Sequence, residues 1–162
     1  QHEMDQEYFD RIEALHYAVA NDDGQITNNL KEADLILIGV SRTSKTPTSI
    51  YLANKGVKVA NVPIILNQDL NLQIDNKSTL VIGLFASPER LLQIRRSRLN
   101  TLNEKRETSY IDIDLVKKEV QQARRICAKN GWISIDVTRK SIEEVAASAL
   151  QHLKTYREKM SK

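Results

Sequence analysis

The stretch Asp34-Leu-Ile-Leu-Ile-Gly-Val-Ser-Arg-Thr-Ser-Lys-Thr-Pro47 constrains the fold more than any other part of the chain. It opens with an apolar run that reads as a buried strand and turns at Gly39. It then places Lys45 and Thr46 six and seven residues later and passes into a helical pattern. Strand, short loop and helix in that order make a seat for an anion. The first backbone N–H groups of a helix have no partner within it, and the macrodipole gives them partial positive charge. Gly39 allows a tight turn without a Cβ clash. Lys45 adds a point charge able to reach two phosphates, and the Thr46 hydroxyl is placed to hold Mg²⁺. Pro47 is harmless, because a proline in the first turn gives up an N–H that the helix does not use.

Gly39, Lys45 and Thr46 keep the spacing of the Walker A pattern, with Ser44 in place of its second glycine. If the loop requires a left-handed residue there, serine is strained by it. An ordinary strand–turn–helix with an exposed lysine has the same outline. The strand before, the helix after and Arg42 inside the loop favour the phosphate reading. The candidate phosphate-binding set is Gly39, Val40, Ser41, Arg42, Thr43, Ser44, Lys45 and Thr46, with Lys45 and Arg42 also as candidate catalytic cations.

A chain of 162 residues with 41% apolar and 28% charged residues is long enough for one domain with a real core. The net charge of +3 is too small to imply nucleic acid. A single cysteine, Cys127, excludes an internal disulfide and reads as a small buried apolar residue. No apolar run approaches the roughly 18 residues needed to span a membrane, and no signal peptide is visible, so the expected compartment is the cytosol.

Further strands are expected at Val57–Val62, Thr79–Leu84 and Trp132–Val137, separated by helical patterns. The expected fold is therefore α/β: a P-loop kinase-like, mostly parallel sheet covered by helices on both faces. Residues 4–20 read as a helix whose face is Tyr8, Ile12, Leu15 and Val19. Asn100 to Ser109 reads as a loop. Ser87 and Ser141 are helix caps, the latter in a capping box with Glu144. One domain over 1–155 and a frayed tail over 156–162 complete the expected organisation.

Three further groups could carry chemistry. Asp22-Asp23-Gly24 is either a turn or a carboxylate pair aimed at a reacting hydroxyl or a metal, and at most one of two adjacent acids can point inward cheaply. Arg90, Arg95 and Arg98 lie on the helix after Ser87. Arg95 and Arg98 are three apart and share a face, which is either a phosphate clamp or a solvated basic surface. Asp136 ends an apolar strand, where it is either a rival ligand for Mg²⁺ or a turn residue.

Gly39-Val-Ser-Arg-Thr-Ser-Lys-Thr-Pro-Thr-Ser-Ile-Tyr-Leu-Ala-Asn54 closely resembles the bacterial regulatory proteins of pyruvate, phosphate dikinase. Supporting matches are Tyr8-Phe-Asp-Arg-Ile-Glu-Ala14, Asp22-Asp23-Gly24, Gly83 with Ser87-Pro-Glu-Arg-Leu91, Ile94-Arg95 with Arg98-Leu99, and Trp132 to Glu144. The likeness covers nearly the whole chain. The sister family, which regulates phosphoenolpyruvate synthase, typically has Cys-Gly where this chain has Thr43-Ser44, which favours the dikinase branch.

The resemblance implies a bifunctional enzyme. As a kinase it uses ADP to phosphorylate an active-site threonine of the dikinase. As a phosphorylase it uses inorganic phosphate to remove that group as pyrophosphate. Mg²⁺ is the expected metal and the dikinase the expected partner, with no nucleic acid or membrane, and a homo-oligomer is left open. The family carries a further N-terminal region, so this chain is expected to be the catalytic C-terminal part, a piece of a longer protein beginning at Gln1. The alternatives are the regulator of phosphoenolpyruvate synthase, a small-molecule kinase of the same fold, and a non-catalytic basic binding module using the arginine helix.

Overall fold

The computed structural model describes residues 2–22, 30–68, 70, 72, 79–102 and 108–161. Nine elements carry the fold: α1 (His2–Ala20), β1 (Leu35–Gly39), α2 (Lys45–Ala53), β2 (Val59–Pro63), β3 (Leu80–Phe85), α3 (Pro88–Leu102), α4 (Ile113–Asn130), β4 (Ile133–Asp136) and α5 (Ile142–Met160). Leu30–Glu32 and Thr108–Ile111 form single 3₁₀ turns.

The four strands form one parallel sheet in the order β2-β1-β3-β4. Every residue of β1 and β3 is buried, which is why both read as unbroken apolar runs instead of alternating ones. Gly83 and Phe85, two apart on β3, both face α4. A Cβ on Gly83 would lie 2.5 Å from Cys127 Sγ, and Arg124 stacks 5.1 Å from the Phe85 ring. Ile82 and Leu84 therefore point to the opposite face, where they are equally buried. Helices cover both faces, as the sequence implies. Pro63 ends the edge strand β2, a position where its missing N–H breaks no central ladder.

Local signals set the helix ends. Ser141 and Glu144 form both bonds of the capping box. The Ser87 hydroxyl accepts from the Arg90 N–H. Gly131 closes α4 in the left-handed region, at φ 68°. Asp112 caps the start of α4 by accepting from the backbone of Asp114 and Leu115. Cys127 is buried, and desolvation pushes its thiol up to about 11.

Two expectations are corrected, on α1 and on α3. α1 is a helix, but its buried face is Ala14, Tyr17 and Ala18, while Tyr8 and Val19 are 54% and 63% exposed. Ala14 and Ala18 pack on Ala53 of α2, because small residues let the two helices approach closely. α3 continues to Leu102 through the start of the expected loop, of which 103–107 lie outside the described residues. The tail expected to fray from Tyr156 is the last part of α5. Tyr156 packs against the core, and Arg157 pairs with Asp34 at 2.8 Å. Among the described residues no helix is long and apolar enough to cross a membrane.

Candidate phosphate-binding site

The sheet order places a reversal beside β1. From β1 the chain moves to β2 on one side and then crosses to β3 on the other. Open parallel sheets bind ligands outside the carboxyl ends of their strands at such a point. Residues 40–44 occupy that place and lead directly into α2.

The loop is tightly folded on itself. Arg42 and Ser44 both adopt left-handed backbone, at φ 71° and 68°. The strain foreseen for Ser44 is therefore present, and Arg42 shares it. Two donors converge on the Val40 carbonyl: Thr43 Oγ1 and Lys45 Nζ, each at 2.9 Å. Lys45 is only 4% exposed, so its ammonium lies under the loop and not in bulk water. Gly39 has no room for a side chain, since a Cβ there would sit 2.7 Å from Thr43 Oγ1 and 2.8 Å from the Leu84 carbonyl oxygen. Its own carbonyl accepts from the Ile64 N–H at 2.9 Å.

Ser41, Arg42, Ser44, Lys45, Thr46, Pro47 and Ile94 line a cavity of about 260 Å³. That is slightly below the roughly 300–1,000 Å³ typical of pockets enclosing a whole small molecule. It suits a short chain of phosphates whose remainder lies outside. Ser44→Gly is expected to relieve the left-handed serine by about 1 kcal/mol, raising the melting temperature by about 2–4 °C. Calorimetric unfolding checks it.

A polar chain runs behind Thr46. Its hydroxyl donates to Asp22 Oδ1 at 2.8 Å. Asn61 Nδ2, from β2, donates to the same oxygen. The Ser49 hydroxyl donates to Asn61 Oδ1 at 2.6 Å and lies 2.8 Å from the Lys45 carbonyl. Asp22 is thereby fixed beside the start of α2. A carboxylate and a hydroxyl are hard oxygen donors, and Mg²⁺ takes one or two such groups together with phosphate oxygens and water. The residues present fit that ion. Asp23 and Gly24 lie outside the described residues.

Asp136 is not joined to this group. Its Oδ1 accepts from the Thr138 N–H and hydroxyl, at 2.9 and 2.6 Å, fastening the turn after β4. Hydrogen bonds from the Thr138 hydroxyl and backbone hold its carboxyl below the usual range. The turn reading of Asp136 is the one observed.

The expected arginine clamp does not form as a unit. Arg90 is exposed and donates to Gln93 Oε1 at 3.0 Å, and Arg98 is also exposed. Arg95 is fully buried and binds Ser41, Tyr110 and Glu119. The signal was available: Arg95 stands four residues from both Leu91 and Leu99, at the centre of the apolar face of α3. Asn61 was signalled likewise, as an amide within the apolar run of β2. Tyr110, Ile94 and Glu119 had no comparable mark. Burial raises the Tyr110 phenol, but hydrogen bonds with Ser41 and Arg42 and the charges of Arg42 and Arg95 outweigh it, leaving the group below its ordinary value.

Residues 1–150 match the sequence model of the kinase/pyrophosphorylase family. Three relatives are named for the regulatory protein of pyruvate, phosphate dikinase. The one from Erythrobacter litoralis is 53% identical over 93% of this chain and 55% of its own length. The one from Caulobacter vibrioides is 52% identical over 94% and 49%, and that from Pelagibacter ubique 48% over 93% and 56%. This chain thus spans about half the length of the curated relatives it matches. With a family match over most of its residues and half of its positions identical to those relatives, the chain belongs to the kinase/pyrophosphorylase family.

Proposed function

We propose that this chain is the phosphate-handling part of a bifunctional regulator of pyruvate, phosphate dikinase. In one direction the terminal phosphoryl group of ADP passes to a threonine hydroxyl of the dikinase. The bond to the α-phosphate breaks, AMP leaves, and the hydroxyl proton is taken by a carboxylate. In the other, an oxygen of inorganic phosphate attacks phosphothreonine and the threonine oxygen leaves, giving free threonine and pyrophosphate. The observation that carries this reading is the Gly39–Thr46 loop, with Lys45 buried beneath it.

Each role follows from position. Phosphoryl transfer demands alignment and charge neutralisation more than covalent chemistry by the protein. The N-terminal amides of α2 and Lys45 would hold a diphosphate. Lys45 would exchange its bond to the Val40 carbonyl for one to a phosphate oxygen. Arg42, exposed on the cavity wall, would bind the equatorial oxygens of the moving group. Asp22 and Thr46 would hold Mg²⁺, which when bound neutralises charge on the phosphates. Asp22 would also accept the hydroxyl proton, with Asp23, next in sequence, as the alternative.

Asp22→Ala is expected to lower transfer in both directions by about 10²-fold, in the range for loss of a positioned acid–base group. It should also raise the Mg²⁺ concentration needed for half-maximal rate, which a metal titration of the initial rate reads.

The function is tested with ADP labelled on its terminal phosphate, incubated with the chain and dikinase. Label on a dikinase threonine, released as pyrophosphate when phosphate is added, is the expected result. Label on phosphoenolpyruvate synthase instead would move the chain to the sister branch. Label on a small metabolite and never on protein would reject the regulator reading.

A further inference from the structure

The phosphate loop is gripped from outside by a buried cation. Arg95 Nη1 donates to Glu119 Oε2 of α4 at 2.8 Å and to the Tyr110 carbonyl at 3.1 Å. Its Nη2 donates to the Ser41 carbonyl at 3.2 Å. The guanidinium carbon lies 4.8 Å from the centre of the Tyr110 ring, and the Tyr110 hydroxyl is 3.5 Å from Ser41 Oγ. Ser41 is therefore held twice, through its carbonyl by Arg95 and through its hydroxyl by Tyr110. It immediately precedes Arg42, the first of the two left-handed residues. A non-glycine residue stays in that region only when its surroundings over-determine it.

We infer that Arg95, braced by Glu119 and Tyr110, is a positioning residue that holds Ser41 and Arg42 in the conformation that receives phosphate. This rests on the reading of residues 39–46 as a phosphate seat. Arg95 is itself no ligand, because a guanidinium at 0% exposure, whose two terminal nitrogens already serve three acceptors and whose unpartnered Nε is buried, is not offered to an anion arriving from water. Arginine suits the position where lysine does not. One planar fork reaches three acceptors in fixed directions and stacks on an aromatic ring. The brace ties α3, α4 and the 3₁₀ turn at Tyr110 to the loop, so the loop geometry depends on elements distant in sequence.

The test separates loop geometry from global stability. Arg95→Met combined with Glu119→Leu removes both charges together. Replacing a buried pair with apolar residues of similar volume typically leaves the fold about as stable. Without ligand, the ¹⁵N order parameters of residues 41–46 are expected to fall from the rigid-backbone value of about 0.85 to below about 0.6 in this variant, while the melting temperature moves by no more than a few degrees. Pyrophosphate affinity, read by titration calorimetry, is expected to fall about 10- to 100-fold, in keeping with losing pre-organisation and no direct contact. Arg95→Lys, which keeps charge and loses the fork, should show the same loop effects.

Unchanged order parameters, or unchanged affinity in a variant whose parent binds pyrophosphate, overturn the positioning role alone. A parent with no affinity for pyrophosphate overturns this inference together with the phosphate-seat reading. Should the double variant not fold, Tyr110→Phe reads the same link by removing the hydroxyl that meets both Ser41 and Arg42. Lower ¹⁵N order parameters at Ser41 and Arg42 support the brace, and values equal to the parent's overturn it.

Discussion

Lys45→Ala is expected to lower phosphoryl transfer by about 10²–10³-fold, the cost of losing one donor aimed at developing charge. Its effect on folding should be small. The Val40 carbonyl that accepts from Lys45 Nζ also accepts from Thr43 Oγ1, so that acceptor keeps a partner. The loss should appear in both directions of the reaction, because in the proposed function a diphosphate, that of ADP or the pyrophosphate being formed, would occupy the seat in each. Lys45→Arg should not restore the rate. A planar fork does not fit where a compact ammonium is 4% exposed beneath a tight loop. Steady-state rates with ADP and with phosphate, beside thermal unfolding of each variant, measure the two effects separately.

Gly39→Ala is expected to abolish the seat by a different route. The new methyl group would fall 2.7 Å from Thr43 Oγ1 and 2.8 Å from the Leu84 carbonyl oxygen. The latter is backbone of a central, fully buried strand and cannot yield. The loop must therefore move, dragging Thr43 from its bond to the Val40 carbonyl. Such overpacking costs about 1–3 kcal/mol. A drop of several degrees in melting temperature together with loss of nucleotide binding is the expected pair of results. Nucleotide affinity equal to wild type would mean that the Gly39 contact is not what shapes the loop.

Where periodicity and caps agree, the fold can be read along the chain. Leu35–Gly39 and Leu80–Phe85 are continuous apolar runs because both faces of a parallel sheet are covered. Ser87 and Ser141 cap helix starts with their hydroxyls, and Gly131 ends α4 by its left-handed backbone. Apolar periodicity misleads on α1, where the large residues Tyr8 and Val19 are exposed and Ala14 and Ala18 carry the packing. Hydrophobicity ranks residues by size, whereas close helix contact selects small ones.

The candidate site was legible only in part. Gly39, Lys45 and Thr46 announce themselves by spacing within one short segment. Asp22 is identified as the carboxylate beside Thr46 only once folding brings them together across 24 residues. By its charge Arg95 reads as part of a phosphate clamp or of a solvated basic surface. Its place in the apolar stripe between Leu91 and Leu99 pointed inward, and the acceptors that make burial tolerable come from Ser41, Tyr110 and Glu119. Partners so remote in sequence leave no local trace.

In the proposed function the backbone amides between residues 39 and 46, with Lys45, form the seat of a diphosphate. The most direct measurement is a ¹⁵N-edited NMR titration of the chain with ADP. The phosphate seat predicts saturable shifts concentrated at residues 41–46 and lost in Lys45→Ala. Saturable shifts confined to another surface, with the resonances of 41–46 unmoved, would contradict it.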